Sequence, residues 1–176
     1  MTQHVFIDES KASSYLLVAS VVLPSDIGSA RRGVRELILP GQQRLHMKTE
    51  SDGRRRNILT AFERLGFTAT IFRAGSEYKR ELDRREACLE RLVAHFAAAP
   101  ETHLCLESDE TVDRIDRTQL YRFVMAAGCR DRLHYEHARA SQQPLLAIPD
   151  AIAWAWAKGG DWRRRTERMV IDVVDV

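Results

Sequence analysis

The chain has 176 residues, 44% hydrophobic and 30% charged, a balance that suits a folded globular protein and excludes a disordered polyelectrolyte. Its formal net charge of +2 says little about partners, and no apolar run approaches the ~20 residues of a membrane span. Met1-Thr2-Gln3-His4 lacks the basic start and apolar stretch of a signal peptide, and Cys88, Cys105 and Cys129 are odd in number with no C-x-x-C spacing, so reduced core thiols in a cytoplasmic protein are expected.

The length leaves room for a substantial core in one domain over residues 1–176. Val5-Phe6-Ile7 reads as a buried strand that runs straight into Asp8-Glu9-Ser10. Lys11 to Ser14 is a polar turn, and the valine-rich stretch from Tyr15 to Leu23, stopped by Pro24, is a second buried strand hairpinned to the first. Ser25 or Asp26 caps a helix to about Leu39, closed by Pro40-Gly41. Arg44 to Thr49 reads as a third extended piece, its alternation placing His46 and Lys48 on one face and Leu45 and Met47 on the other.

Ser51 or Asp52 opens the next helix, with Ile58, Leu59, Phe62 and Leu65 as its stripe and Gly66 as its stop. Phe67 to Arg73 is a strand, Lys79 to Ala99 a long helix, and Thr102 to Leu106 a strand that ends in Glu107-Ser108-Asp109-Glu110. This repeats the opening pattern of an apolar strand running into acids. Asp113 to Ala127 is helical and Leu133 to Ala138 a short strand. Pro144 to Trp156 is a nearly all-apolar helix begun by Pro144 or Pro149 and ended at Gly159-Gly160, and Met169 to Val174 closes the chain as a strand. The result is a mixed α/β order, with an antiparallel first pair and parallel strands joined through helical crossovers.

Three carboxylates stand out. Asp8 and Glu107 end strands, and Asp150 is the one charge in a strongly apolar helix; none is cheap to bury unpaired. Each has a plainer reading beside the functional one: a polar turn for Asp8-Glu9-Ser10, and the favourable N-terminal dipole of a helix for Asp150. If the two strand ends are adjacent and the helix covers them, the three acids form an oxygen-rich site suited to Mg²⁺ or Mn²⁺. Two such ions about 4 Å apart hold a phosphodiester, ionise a water and stabilise the leaving oxygen. Glu9 or Asp109 can supply an accessory carboxylate, although alternation along the first strand aims Glu9 away from Asp8.

Phe6-Ile7-Asp8-Glu9-Ser10, Leu45-His46-Met47-Lys48 and Leu145 through Asp150-Ala151-Ile152-Ala153 together resemble the bacterial family called domain of unknown function 3800. The resemblance covers nearly the whole chain. The family is placed with the ribonuclease H-like folds, which include integrases and Holliday-junction resolvases, so it implies a mixed β-sheet flanked by helices and a metal-dependent nuclease. Carried over, it makes Asp8, Glu107 and Asp150 the acidic triad, with Glu9 accessory and some support for His46. Glu107, Asp109 and Glu110 compete for the middle position, and Lys11 stands where a glycine is common in the family.

Other features keep two readings. His46 and Lys48 meet a scissile phosphate or form a surface pair. The basic residues Arg31, Arg32, Arg35, Arg44 and Lys48, then Arg54-Arg55-Arg56 and Arg163-Arg164-Arg165, grip a polyanion such as DNA or RNA or clad solvated helices. Trp154, Trp156 and Trp162 stack bases, or else pack the core or a homodimer contact. His134 and His137 are three apart on a strand and face opposite ways, which argues against zinc. No nucleotide-binding G-x-x-x-x-G-K-[ST] loop, G-x-S-x-G elbow or D-x-D phosphatase pattern is present. The leading expectation is a hydrolase acting on nucleic-acid phosphodiesters. The rivals are a non-catalytic nucleic-acid- or protein-binding module and a small-molecule phosphodiesterase on the same scaffold.

Overall fold

From Tyr15 to Val22 every residue but Val21 is buried, as a strand covered on both faces must be. It is β2, and it pairs antiparallel with β1 (Gln3–Ser10) inside a six-stranded sheet. The computed structural model describes residues 1–12 and 14–176; Ser13, part of the expected turn, lies outside the described residues. The other strands are β3 (Ala69–Ala74), β4 (Thr102–Glu107), β5 (Leu133–Ala138) and β6 (Val170–Asp175). They lie in the order β5-β4-β1-β2-β3-β6, with β2 antiparallel to β1 and β3, and with β1, β4 and β5 mutually parallel. β6 runs parallel to β3 at the far edge.

Alternation along the strands builds two cores. On one face Phe6, Leu16, Val18, Ile71 and Cys105 pack under α1 (Ile27–Leu37), α2 (Asp52–Arg64) and α5 (Ala147–Lys158). On the other, Val5, Ile7, Leu17, Phe72 and Leu104 pack under α3 (Glu81–Phe96) and α4 (Asp113–Ala126). Ser51 caps α2 as expected, its hydroxyl accepting from the Arg54 N–H at 3.3 Å. Gly159, at φ +75°, ends α5, and the chain turns at once into a five-residue helix, α6 (Gly160–Arg164), where no helix is expected from sequence. Among the described residues no helix is long and apolar enough to cross a membrane. The three cysteines are free and buried, and burial pushes the Cys88 and Cys105 thiols up to about 12.

One expectation is corrected. Residues 44–49 form no strand: Met47–Thr49 is a single 3₁₀ turn that follows an extended His46. Leu45 and Met47 are buried and His46 and Lys48 are turned outward, so the alternation is real. A segment this short alternates equally well as a loop pinned by two apolar anchors.

The second core contains a buried charge network that sequence periodicity does not reveal. Arg85 of α3, 4% exposed, donates from Nε and Nη2 to the two oxygens of Asp116 on α4, at 2.7 and 2.6 Å. Its Nη1 donates to Glu9 and, at 2.7 Å, to the Tyr15 hydroxyl. His137 of β5 adds its Nε2, 3.0 Å from Asp116 Oδ2. Burial pushes the Asp116 carboxyl up, but the hydrogen bonds from Arg85 and His137 outweigh it and hold the group below its usual range. This part of the stability is therefore present above the unfolded-state aspartate pKa and lost as pH falls through the lower folded one. Replacing Arg85 strands a carboxylate in the core. Arg85→Met should lower the unfolding free energy by about 3–5 kcal/mol in urea titrations; a loss below about 1 kcal/mol would show that the network does not hold α3 to α4.

Candidate metal centre at the end of the central strands

The register of β1 against β4 pairs Phe6 with Cys105 and Ile7 with Leu106, so one step further on Asp8 lies beside Glu107. Both share the face of Phe6 and Cys105, the face that α5 covers. Asp150 comes down onto it from the first turn of α5. Thus three elements each deliver one of the expected acids to the same end of the sheet.

The three carboxylates differ in what satisfies them. Asp8 Oδ1 accepts the Glu9 N–H at 2.8 Å, and Asp8 has no cationic partner among the described residues. Burial pushes its carboxyl well up, Asp150 and Glu107 add to this by repulsion, and the protonated Asp8 carboxyl gains further by donating a hydrogen bond to Glu107. Asp150 Oδ2 accepts the Met47 N–H at 2.9 Å, and its Oδ1 is 3.3 Å from His46 Nδ1. Asp150 therefore both benefits from the helix N-terminus and ties α5 to the 3₁₀ turn. Glu107 is held by Arg44, which donates to Oε1 from Nη1. Arg44 Nη2 is 2.8 Å from His46 Nδ1. A guanidinium has no acceptor, so a hydrogen bond from Arg44 needs a bare Nδ1, whereas one to Asp150 Oδ1 needs Nδ1 protonated; the ring serves one or the other according to its tautomer.

Of the accessory candidates, Glu9 is on the opposite face, as alternation along β1 requires, with Arg85 and Lys11 as partners. Asp109 lies past the end of β4 and accepts from the Thr111 N–H and hydroxyl at 3.0 and 2.6 Å; these bonds hold its carboxyl below the usual range. It still lines an open polar groove with Asp8, Glu9, Glu107, Ser108 and Glu110. Glu110 is exposed and 3.6 Å from Arg139. Of Glu107, Asp109 and Glu110, Glu107 is the one that the strand register brings beside Asp8. His46 reaches the cluster. Lys48 is exposed on the 3₁₀ turn, and no hydrogen bond or ion pair joins it to the acids among the described residues.

Several of the basic residues and two of the tryptophans serve the scaffold. Arg54 bonds Glu50 and the Leu37 carbonyl, Arg55 bonds the Met47 and Lys48 carbonyls, and Arg163 bonds the Trp156 carbonyl. Arg55 and Arg56 lie over Trp154 and Trp162, which pack edge to face at 5.1 Å. These indoles pack against each other and against arginines of the same chain.

A second group of donors escapes sequence reasoning. Among the described residues Asp113, Asp116 and His137 are the trio whose donor atoms all lie within 4.8 Å of one another, tighter than Asp8, Glu107 and Asp150. Its cation is already present: Arg85 covers both Asp116 oxygens, while Asp113 accepts from the Ser108 hydroxyl at 2.6 Å and the Asp109 N–H at 2.8 Å. Asp116 has its cation and Asp113 its hydrogen-bond donors, whereas Asp8 is raised by burial and by the charges of Asp150 and Glu107. The oxygen-only donor set around Asp8 fits a hard divalent cation, and the trio fits a structural role.

The backbone is similar to two solved ribonucleases. RNase HII, in the structure of the PCNA:RNase HII complex from Archaeoglobus fulgidus, aligns with a TM-score of 0.58 and 19% identity over 94% of this chain and 75% of that one. Bst-RNase HIII in complex with Mn²⁺ aligns at 0.51 and 14% over 87% of this chain, and a mutant of the same protein at 0.52 and 14% over 89%. The chain spans about half the length of the RNase HIII chains, 51% and 52%. No family model and no curated protein matches the sequence. The fold is ribonuclease H-like: a mixed six-stranded sheet flanked by helices.

The raised Asp8 carboxyl has a measurable consequence. A carboxylate whose folded pKa lies above its unfolded one costs stability at pH above both, and the cost fades as pH falls through that window. In metal-free buffer Asp8→Asn should raise the melting temperature at neutral pH, and the gain should shrink as the pH is lowered into the ordinary aspartate range. A variant that melts below wild type at neutral pH would show that Asp8 is not held against its neighbours' charge.

Proposed function

We propose that the chain is a divalent-metal-dependent nuclease that hydrolyses phosphodiester bonds of DNA or RNA, and that Asp8, Glu107 and Asp150 carry the reaction. One observation bears most of the weight. Three carboxylates from β1, β4 and α5 meet at one end of the sheet, and the central one is raised by burial and by the other two. Such an arrangement is costly without a cation and favourable with one or two. The ribonuclease H-like fold supports the reading, as does the complex of the structurally similar Bst-RNase HIII with Mn²⁺. The resemblance of the Asp8-Glu9-Ser10 and Asp150-Ala151 segments to the domain of unknown function 3800 family is part of the same proposal. So is a cytoplasmic location, which the free, buried thiols suit.

In this proposal Asp8, Glu107 and Asp150 hold Mg²⁺ or Mn²⁺ by their oxygens, and the 3₁₀ turn fixes Asp150 through the Met47 N–H. When bound, the ions would supply an ionised water and charge stabilisation at the leaving oxygen. The groove between Asp8 and the loop after β4 is where a backbone phosphate reaches the acids. Asp109 and Ser108, fixed by Asp113, shape its wall.

A non-catalytic nucleic-acid-binding module is the second reading. It is favoured by the protein partners that Glu107 and Asp150 already have. The two separate on labelled DNA, RNA and hybrid oligonucleotides. The nuclease should cleave at least one class in Mn²⁺ or Mg²⁺, stop in EDTA, and lose about a hundredfold or more in rate in Asp8→Asn, the scale of removing one preorganised electrostatic group. Cleavage that survives both EDTA and Asp8→Asn refutes the proposal, and salt-sensitive binding with no turnover under any metal establishes the binding module instead.

A further inference from the structure

Among the basic residues named above, Arg44 is the one bonded to the acid cluster. It lies on the loop after α1, 63 residues from Glu107 in sequence, and its anionic partner is one of the three acids assigned to the metal. Arg54 and Arg55 are anchored on backbone carbonyls, and Arg85 is enclosed in the core. Arg44 has neither kind of anchor among the described residues. Its two contacts are the Glu107 carboxylate and the His46 ring, and it is 29% exposed.

Resting on the nuclease reading above, we infer that Arg44 contests Glu107 with the divalent cation and is the residue that grips the substrate phosphate once Glu107 is given up. Glu107 Oε1 serves the guanidinium or serves a metal ion. When it serves the ion, Arg44 is left as a cation beside further cations, and only an anion placed between them removes the repulsion. A phosphodiester is such an anion, and the planar fork of N–H donors matches its oxygens. Arg44 uses one N–H on Glu107 and one on His46, which leaves others to point at a phosphate. In the tautomer whose Nδ1 accepts from Nη2, His46 holds the fork once Glu107 is given up, and the same nitrogen lies 3.3 Å from Asp150 Oδ1. Arg44 and His46 thus span two of the three acids, and Arg44 is a substrate-contacting residue rather than a surface charge.

The test uses the full chain and two readouts that a merely structural arginine does not move together. Mn²⁺ binding without nucleic acid is followed by titration calorimetry. Binding of a fluorescein-labelled oligonucleotide is followed by anisotropy in Ca²⁺ buffer. Arg44→Ala should bind Mn²⁺ about two- to fivefold more tightly, the size of a partly exposed ion pair removed. It should bind the oligonucleotide about tenfold more weakly, with the slope of log affinity against log salt reduced by about one. Arg44→Lys, which keeps the charge but not the fork, should recover the salt slope and only part of the affinity. Unchanged or weaker Mn²⁺ binding in Arg44→Ala, or unchanged oligonucleotide affinity, overturns the inference. Failure of the underlying reading looks different: wild-type Mn²⁺ binding would then be unaffected by Asp8→Asn, and the roles of Asp8 and Arg44 would fall together.

Discussion

The structure depends on how the central strand ends. β1 carries two adjacent carboxylates, Asp8 and Glu9, and the pleat sends them to opposite faces of the sheet. Each face must answer a buried negative charge, and the two answers differ. Behind Glu9, Arg85 is locked by Asp116 and Tyr15 and supplies a permanent cation. Around Asp8 there are only more acids, and the one nearby guanidinium belongs to Glu107. One side of the strand is a closed charge network that holds α3, α4 and β5 together. The other is left with unmatched negative charge, which a bound cation can neutralise.

This asymmetry links fold to chemistry. The rigid side fixes β1, the β4–α4 loop and their register, because Asp113 accepts from both Ser108 and Asp109 just past Glu107. The Asp8 side is thereby presented on fixed strand ends, with Asp150 supplied by the first turn of an apolar helix. The tight trio of Asp113, Asp116 and His137 shows why donor spacing alone does not identify a metal centre. Asp116 there already has a guanidinium and Asp113 two hydrogen-bond donors.

Much of this was legible in the sequence, for reasons that can be traced. An apolar strand running into acids occurs twice, at Asp8 and at Glu107, and a lone acid in an apolar helix, Asp150, is expensive enough to stand out. Period-two alternation separates Asp8 from Glu9 without knowledge of the fold. The antiparallel first pair follows from the short turn and from Pro24. Arg85, Asp116 and His137 were not legible: charged residues at helical spacing look the same whether they face solvent or one another across two elements. The pairing of Arg44 with Glu107 was hidden for a similar reason, since its partner lies far away in the chain. Arg54, Arg55 and Arg56, candidate phosphate contacts by sequence, instead bond carbonyls and cover indoles, which needs knowledge of what lies across from them. Residues 44–49 deceive as a strand because two apolar anchors are enough to make a loop alternate.

If the unmatched charge at the end of β1 is a cation site, crystals grown with Mn²⁺ and measured at an anomalous wavelength will show it most directly. Anomalous density is expected within ~2.0–2.6 Å of carboxylate oxygens of Asp8 and of at least one of Glu107 and Asp150, the contact range of hard divalent ions, with Arg44 released from Glu107 when Glu107 is a ligand. Density at Asp113, Asp116 and His137 with none at Asp8 would contradict it.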